Sequence, residues 1–326
     1  MAVLVTGLAG FIGFHVGRAL LARGETIIGI DNLNDYYDPA LKRARLEQLG
    51  DGPSLHFYQA DIADRQSVAR IFDNHPDIDR VVNLAAQAGV RYSLENPYCY
   101  VDANVMGQLT LLESARQLPH LQHFVYASSS AVYGANTKLP FSTADAVDDP
   151  VSLYAATKRS AELMARTYAR LYGIPATGLR YFTVYGPWGR PDMAAFIFTR
   201  RIFQGEPIDV FNEGKMRRDF TYIDDIVDGT LAALDRVPQK VDGQPPEALY
   251  NLGNHRAEDL MEFIGVLESA IGKKAELHLQ PMQKGDVEAT FADIEQSRRD
   301  LGFAPVTPIG EGIPRFVAWY RDYFKV

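Results

Sequence analysis

The sequence predicts an α/β fold, in which helices cover both faces of a doubly wound parallel sheet, followed by a smaller α+β domain. In the first half of the chain, short apolar runs alternate with segments of helical periodicity, and neighbouring parallel strands need such crossover helices. After residue 180, frequent Pro and Gly residues interrupt this alternation. We therefore assign the first domain to residues 1–180 and the second mainly to 181–326, and residues 221–252 are expected to return partly to the first.

The predicted strands are short runs of apolar residues. In chain order they span residues 2–6, 26–31, 55–58, 80–84, 123–127 and 177–180. Helical patterns lie between them and are clearest at 11–23, 105–117 and 154–172. This alternation of strand and helix is typical of a doubly wound sheet.

A glycine-rich turn joins the first strand to the first helix. It has the sequence Gly7-Leu-Ala-Gly10-Phe11-Ile12-Gly13. Gly7 permits a tight turn, Gly10 lets the backbone approach a pyrophosphate, and Gly13 lets the helix pack closely on the strand. The N-terminus of the helix would face the phosphates with unbonded N–H groups and a partial positive charge. The turn therefore predicts a dinucleotide site.

Acidic residues at strand ends indicate which dinucleotide is bound. Asp31 ends the second predicted strand, where a carboxylate meets the ribose hydroxyls and repels a 2′-phosphate. NAD is therefore predicted rather than NADP. Asp61-Ile62 follows the third strand and would hold the adenine edge, although a solvated strand end explains an Asp there equally well.

A tyrosine and a lysine share one face of a predicted helix. Tyr154 and Lys158 are four residues apart, so their side chains are neighbours. The positive charges of Lys158 and of a nicotinamide ring would favour the Tyr154 phenolate and make it a base near neutral pH. Ser128-Ser129-Ser130 follows the fifth strand, at the edge where open α/β sheets bind ligands. Each pattern alone is common on protein surfaces, but their combination indicates an active site.

Composition excludes several classes of protein. The 326 residues carry a formal net charge of −8 and a single cysteine, Cys99. The charge argues against a general nucleic-acid binder. One cysteine excludes an internal disulfide and fits a reducing compartment, so we expect a cytoplasmic protein. No apolar run approaches the roughly 20 residues of a membrane helix. The first strand begins so early that we expect neither a signal peptide nor a membrane anchor, and no metal is expected.

At these residues the chain resembles the extended short-chain dehydrogenase/reductase family over essentially its whole length. Supporting segments are Asn83-Leu-Ala-Ala-Gln-Ala-Gly-Val-Arg-Tyr-Ser93, Asn104-Val-Met-Gly107 and Arg218-Asp-Phe-Thr-Tyr-Ile-Asp-Asp225. The resemblance implies a Rossmann domain that binds NAD, a domain that binds a nucleotide sugar, and a homodimer that pairs the helices at 105–117 and 154–172 with their symmetry mates.

The resemblance also assigns roles to residues. It implies that Tyr154 is the catalytic base and acid, that Lys158 orients it, and that Ser129, or its close rival Ser130, hydrogen-bonds the reacting oxygen. It adds Asn32 and the run Leu84-Ala85-Ala86 to the cofactor site. Two positions depart from the family pattern: Asn83, where His is common, and Lys284, where Pro is commoner.

The segment after the sixth strand narrows the activity. Arg180-Tyr-Phe-Thr183-Val-Tyr-Gly-Pro-Trp-Gly-Arg190-Pro-Asp-Met193 resembles the pattern of UDP-glucuronate 4-epimerases, since many glucose epimerases carry Asn where Thr183 stands. We therefore expect NAD-dependent conversion of UDP-glucuronate to UDP-galacturonate through a 4-ketone. UDP-glucose 4-epimerase is the first alternative, followed by UDP-glucuronate decarboxylase and a non-catalytic NAD-sensing protein. A dehydratase is disfavoured because Ser130-Ala131 replaces its acidic pair.

The charges of a UDP-sugar need partners in a net-acidic protein. Arg218 is expected to hold the pyrophosphate, with weaker help from Arg217 or residues 283–298, because Arg offers bidentate geometry. A solvated Arg217-Arg218 pair remains the alternative. Thr183, with Ser129 and Ser130, is expected to hydrogen-bond the glucuronate carboxylate, and Arg190 is the nearest charged candidate.

Overall fold

The structure is a computed structural model that describes residues 1–241, 243–282 and 288–326. Its strands, in chain order, are β1 (Ala2–Thr6), β2 (Thr26–Asp31), β3 (Leu55–Gln59), β4 (Ile78–Asn83), β5 (His123–Ser129), β6 (Ala176–Tyr181), β7 (Thr183–Tyr185), β8 (Ile208–Phe211), β9 (Arg217–Arg218), β10 (Phe220–Tyr222), β11 (Glu247–Leu252), β12 (Glu258–Asp259) and β13 (Leu277–Gln280). Seven of them form one parallel sheet in the order β11-β6-β5-β4-β1-β2-β3. The predicted parallel sheet is confirmed.

Helices connect these strands. They are α1 (Phe11–Ala22), α2 (Pro39–Leu49), α3 (Arg65–Asn74), α4 (Tyr92–Glu95), α5 (Pro97–Tyr100), α6 (Gly107–Ala115), α7 (Leu153–Tyr172), α8 (Ala194–Gln204), α9 (Ile223–Asp235), α10 (Leu260–Ile271), α11 (Glu295–Leu301) and α12 (Ile309–Phe324). A π-helix, Val101–Met106, leads into α6. Among the described residues, no helix combines the length and the apolar character needed to cross a membrane.

Alternate residues of the central strands face two separate cores. In β1, Val3 and Val5 pack into one buried cluster together with α1, whereas Ala2 and Leu4 pack into another with α6 and α7. A fully buried aliphatic side chain contributes about 1.5–3 kcal/mol, so each face is held by the helices that cover it. Burial on both faces explains why these strands are continuous apolar runs.

The strand order reverses direction between β1 and β4, which are neighbours in the sheet. Connections leave these two strands toward opposite edges, so a crevice opens at their carboxyl ends. The glycine turn after β1 and the run of residues 84–88 after β4 both lie at this crevice.

Two elements after residue 220, α9 and β11, pack against the first domain and its seven-stranded sheet. α9 packs against α1, and β11 pairs with β6 from Glu247↔Ala176 to Leu252↔Tyr181. The remaining strands form two-stranded sheets: β7 with β10, β8 with β13, and β9 with β12. The division of the chain at residue 180 remains a prediction.

One helix boundary differs from the prediction. The helix expected at 105–117 starts earlier, as the π-helix, and α6 ends at Ala115. In the π-helix the buried Asn104 makes hydrogen bonds outside the helix: its amide accepts from Gln87 N at 2.9 Å and donates to Gln87 O and Thr157 Oγ1, each at 3.0 Å. Apolar periodicity carries no information about such a side-chain bond.

Candidate active site

The glycine turn has the close contacts that only glycine permits. Gly7 has φ +68°, and a Cβ there would lie 2.8 Å from Ala85 N. A Cβ on Gly13 would lie 2.0 Å from Gly7 O, and one on Gly10 would lie 2.9 Å from the same oxygen. Gly10 is also the N-cap of α1 and supplies no side-chain acceptor for the first amides of the helix. The turn therefore fits a dinucleotide, because its small residues and helix N-terminus leave room and donors for a pyrophosphate.

Asp31 connects the end of β2 to this turn. Its carboxylate is 8% exposed and accepts hydrogen bonds from Ala9 N (3.1 Å) and Leu33 N (2.9 Å). Burial raises the pKa of Asp31, while these amides and the ammonium of Lys42 oppose the rise. Lys42 is itself buried and donates to Asn34 O at 2.8 Å.

The other predicted cofactor residues line the same space, which we call the glycine-loop cleft. Asn32 donates to Asp61 Oδ2 at 2.9 Å, so the ends of β2 and β3 are joined beside the cleft. All of the predicted cofactor positions line it: Gly7, Gly10, Phe11, Ile12, Gly13, Asp31, Asn32, Asp61, Ile62, Leu84, Ala85, Ala86, Tyr154 and Lys158. Their individual roles remain predictions.

Tyr154 lines the glycine-loop cleft. Burial raises the pKa of Tyr154, whereas a hydrogen bond with the Ser129 hydroxyl and the charge of Arg190 lower it. Lys158 is 5% exposed and donates to Ala127 O at 2.9 Å. Burial, assisted by repulsion from Arg190, lowers the pKa of Lys158 to about 8.

Ser129 and Arg190 are the groups of this chain that lower the Tyr154 pKa, and burial outweighs both of them. The Lys158 ammonium donates to the carbonyl of Ala127 within β5. That Lys158 and a bound nicotinamide ring together favour the Tyr154 phenolate remains a prediction.

A buried ion pair holds the serine run against α7. Glu162 Oε1 accepts from Ser128 Oγ (2.6 Å) and Arg180 Nε (2.8 Å), and Oε2 accepts from Arg180 Nη2 (2.9 Å). Burial would raise the pKa of Glu162, but the Arg180 guanidinium, together with hydrogen bonds from Ser128 and Arg159, outweighs it and keeps that pKa below its usual value. Glu162 follows Tyr154 and Lys158 at a further helical spacing of four, a signal that the sequence offered and that the prediction missed.

A second space, the serine cavity, adjoins the glycine-loop cleft. Ser129, Tyr154 and Arg190 line both. All of the predicted substrate residues line the serine cavity: Ser129, Ser130, Tyr154, Thr183, Arg190 and Arg218. Thr183 is placed by its own backbone N–H, which donates to Asp219 O at 3.1 Å.

The two neighbouring arginines are placed differently. Arg218 lines the serine cavity, and its Nη1 donates to Arg217 O (3.0 Å) and Glu288 O (3.1 Å). Arg217 is exposed, donates to Ala257 O at 3.3 Å, and does not line the cavity. Thr290, within the predicted 283–298 segment, lines it, while residues 283–287, including Lys284, lie outside the described residues.

Arg190 is paired with a carboxylate that the sequence reasoning did not single out. Arg190 Nε donates to Asp192 Oδ1 at 3.0 Å, and Nη2 donates to Asp192 Oδ2 at 2.5 Å. The second oxygen also accepts from the Tyr36 hydroxyl at 3.2 Å. Burial would lower the pKa of Arg190 and raise that of Asp192, but the mutual attraction reverses both shifts. The pair is therefore ionised on both sides.

A fully buried arginine joins the two loops of the site. The Arg45 guanidinium donates to Ala9 O (2.8 Å), Tyr37 Oη (2.7 Å) and Trp188 O (2.7 Å). The glycine turn and the loop that carries Arg190 are thus held by one side chain. Asn34, Tyr36, Tyr37 and Lys42 were all missed from the sequence; the polar and aromatic run directly after Asp31 was the only signal for them.

Asn83, one of the two departures from the family pattern, is buried at the carboxyl end of β4. It accepts from Thr6 Oγ1 at 2.5 Å and donates to Gln108 Oε1 at 2.6 Å. These bonds connect β4 with β1 and α6, so the residue is accommodated by the packing of the sheet.

Known proteins resemble the chain along its whole length. The profile of the NAD dependent epimerase/dehydratase family matches residues 3–253. A protein of Arabidopsis thaliana named UDP-glucuronate 4-epimerase 4 is 47% identical over 100% of this chain and 76% of its own. A probable UDP-glucuronate 4-epimerase of Rhizobium meliloti is 44% identical over 100% and 98%. The crystal structure of the UDP-glucuronic acid 4-epimerase of Bacillus cereus with UDP-glucuronic acid and NAD superposes with a TM-score of 0.87 at 33% identity, covering 99% of this chain and 100% of that one.

Proposed function

The chain belongs to the NAD-dependent epimerase/dehydratase family, and we propose that it converts UDP-glucuronate to UDP-galacturonate by inverting C4 through a transient 4-ketone. The observation that carries this proposal is the junction between the glycine-loop cleft and the serine cavity. Tyr154 and Ser129 lie there beside Arg190, and Thr183 lies in the adjoining cavity. The proposed proton-transfer pair, Tyr154 and Ser129, thus lies between the glycine-loop cleft and the serine cavity.

The reaction begins when the Tyr154 phenolate, which the positive charges of Lys158 and of bound NAD favour, takes the proton from the sugar O4. NAD, bound in the glycine cradle, supplies the hydride acceptor and donor at C4. Ser129 hydrogen-bonds Tyr154 and lines the serine cavity, and its proposed role is to hydrogen-bond O4. The keto-sugar then turns about its pyrophosphate, presents its other face, and receives the proton back from Tyr154. The sugar undergoes no net oxidation.

The serine cavity has a second proposed role, which is to prevent loss of CO₂. Oxidation at C4 makes glucuronate a β-keto acid. Such an acid loses CO₂ when its C5–C6 bond aligns with the carbonyl π system, and desolvation of the carboxylate favours this loss. Thr183, Ser129 and Ser130 all line the serine cavity, and their hydroxyls are the proposed donors to the carboxylate. Hydrogen bonds to a charged group contribute about 1.5–3 kcal/mol each, which is enough to favour epimerisation over decarboxylation.

The same proposal includes a cytoplasmic homodimer. The outer face of α7 exposes Leu163 (49%) and Leu171 (65%), Tyr172 at the end of the helix is 50% exposed, and Val101 of the π-helix is 43% exposed. Apolar side chains grouped on adjacent helices favour association with a second copy. The single Cys99 fits a reducing compartment.

The test is NMR analysis of the products that the NAD-loaded enzyme forms from UDP-glucuronate, with UDP-glucose as the parallel substrate. We expect UDP-galacturonate without loss of CO₂. Turnover of UDP-glucose alone would replace this proposal with a UDP-glucose 4-epimerase. Release of CO₂ as the main reaction would indicate a decarboxylase, and no turnover of either sugar would favour a non-catalytic protein.

A further inference from the structure

The ion pair at the junction of the two cavities suggests how the sugar carboxylate is held. We propose that Asp192 is a specificity-determining residue. It occupies one edge of the Arg190 guanidinium and so weakens the binding of the sugar carboxylate by Arg190, which allows the keto-sugar to rotate. This inference rests on the proposed epimerisation of UDP-glucuronate.

The geometry of the pair is that of a complete fork. Two donors on one edge of Arg190, Nε and Nη2, face the two oxygens of Asp192. Asp192 is fixed in turn by the Tyr36 hydroxyl, and Gly89 packs beneath them, since a Cβ there would lie 2.8 Å from that hydroxyl. Both charged side chains are about one-quarter exposed, at 24% and 25%. The Nε and Nη2 donors of Arg190 are therefore already bonded to Asp192, so this edge cannot form a bidentate pair with a sugar carboxylate.

The charges explain the consequence for binding. A carboxylate near Arg190 is attracted by the guanidinium and repelled by Asp192, and because the two charges of the pair lie close together, the repulsion offsets part of the attraction. The cavity then offers the carboxylate mainly hydroxyl donors, those of Ser129, Ser130 and Thr183. A neutral sugar experiences neither effect, so Asp192 alters the preference between charged and neutral sugars.

The proposed reaction gives a reason for this arrangement. The keto-sugar has to present first one face and then the other at C4. A fork-to-fork pair between arginine and carboxylate has a fixed, planar geometry, so it would hold one orientation of the ring. Hydroxyl donors rotate and can follow the carboxylate while it moves.

The experiment compares two ligands on the NAD-loaded protein by titration calorimetry. Asp192→Asn keeps the shape and an acceptor for Arg190 but removes the charge. We expect its affinity for UDP-glucuronate to rise by about tenfold, the change expected from one charge-assisted contact, while its affinity for UDP-glucose stays within about twofold. The kcat for UDP-glucuronate should fall, because the tighter grip slows the turning of the ketone.

A matched variant outside the site separates the Asp192 charge from the net charge of the protein. Asp235→Asn removes the same charge from a surface pair with Arg23 and should leave the preference between the ligands unchanged. Asp192→Ser provides a second removal of the charge if the Asn variant does not fold, and retained UDP-glucose binding reports an intact site.

An unchanged or reduced preference for UDP-glucuronate in the folded Asp192 variants would overturn the inference, as would an equal rise in Asp235→Asn. These outcomes are distinct from a failure of the proposed function. A wild-type protein that binds UDP-glucose but not UDP-glucuronate would overturn the proposed substrate, and this inference with it.

Discussion

Tyr154 is the residue whose hydroxyl the proposed chemistry uses directly. Tyr154→Phe removes the proton acceptor and leaves the ring, so kcat for UDP-glucuronate should fall by about 10²-fold or more, the range of general acid–base groups, with little change in KM. Steady-state kinetics measure this. Tyr168→Phe is the matched control, because Tyr168 lies on the same helix and bonds Glu113 away from both cavities. Near-wild-type turnover in Tyr154→Phe would reject the catalytic assignment.

A Thr183 variant tests whether a hydroxyl restrains the carboxylate of the sugar. Thr183→Val keeps the shape of the side chain and deletes the hydroxyl donor, so a 4-keto-pentose nucleotide and CO₂ should appear beside or in place of UDP-galacturonate, with one NAD reduced for each ketone released. NMR of the reaction mixture measures the ratio. Thr167→Val, on the exposed face of α7, should give only the epimer. Clean epimerisation at the wild-type rate by Thr183→Val would show that this hydroxyl does not restrain the carboxylate.

Arg45 tests the connection between elements, since it joins α2 to the glycine turn and to the loop at Trp188. Arg45→Met leaves buried carbonyl oxygens without donors, which costs about 1–3 kcal/mol for each unsatisfied group. We expect a lower free energy of unfolding in urea and a loss of NAD affinity of about tenfold or more. Arg43→Met, on the exposed face of the same helix, should change neither. Unaltered NAD binding in a folded Arg45→Met protein would exclude the connection.

His123 makes the packing of β5 sensitive to acid. Its ring is fully buried, with Nδ1 2.9 Å from Leu234 O of α9 and Nε2 2.8 Å from Thr177 Oγ1 of β6. Burial lowers the pKa of His123 from 6.5 to about 4. Between these values the unfolded chain binds more protons than the folded one, so stability is complete above about pH 6.5 and is lost as the pH falls toward 4.

The prediction is that the free energy of unfolding decreases across this window and that His123→Asn makes the decrease shallower. Urea titrations at a series of pH values measure it. His120→Asn, three residues away and exposed, is the control and should retain the wild-type slope. An identical slope in His123→Asn would show that other groups, such as the buried His15, whose pKa burial lowers to about 3, cause the acid sensitivity.

At the scale of the whole molecule, the exposed apolar face of α7 predicts a dimer. Light scattering at micromolar concentration should give about twice the chain mass of 36.3 kDa. Leu163→Arg places a charge in the proposed interface and should shift the mass toward one chain. Leu279→Arg, at an exposed leucine of β13 (55%), should remain dimeric. A wild-type mass near one chain would contradict the interface.

The sequence by itself determined the features that depend on local chemistry and periodicity. Apolar runs identified β1, β2, β4, β5 and β6, because strands buried on both faces are mostly apolar, and a short run at 55–58 identified the edge strand β3. Glycine spacing located the turn after β1, because no other residue fits its backbone contacts. The helical spacing of Tyr154 and Lys158 placed them on one face of α7.

Only the tertiary structure decided what depends on distant segments meeting. Arg45 and Trp188 lie 143 residues apart in the chain, and Tyr36 and Asp192 lie 156 apart. No local pattern encodes such a contact, since either partner alone is an ordinary polar or aromatic residue. The direction of the Tyr154 pKa shift is also a tertiary property, because the burial that raises it comes from the packing of the folded site around the hydroxyl.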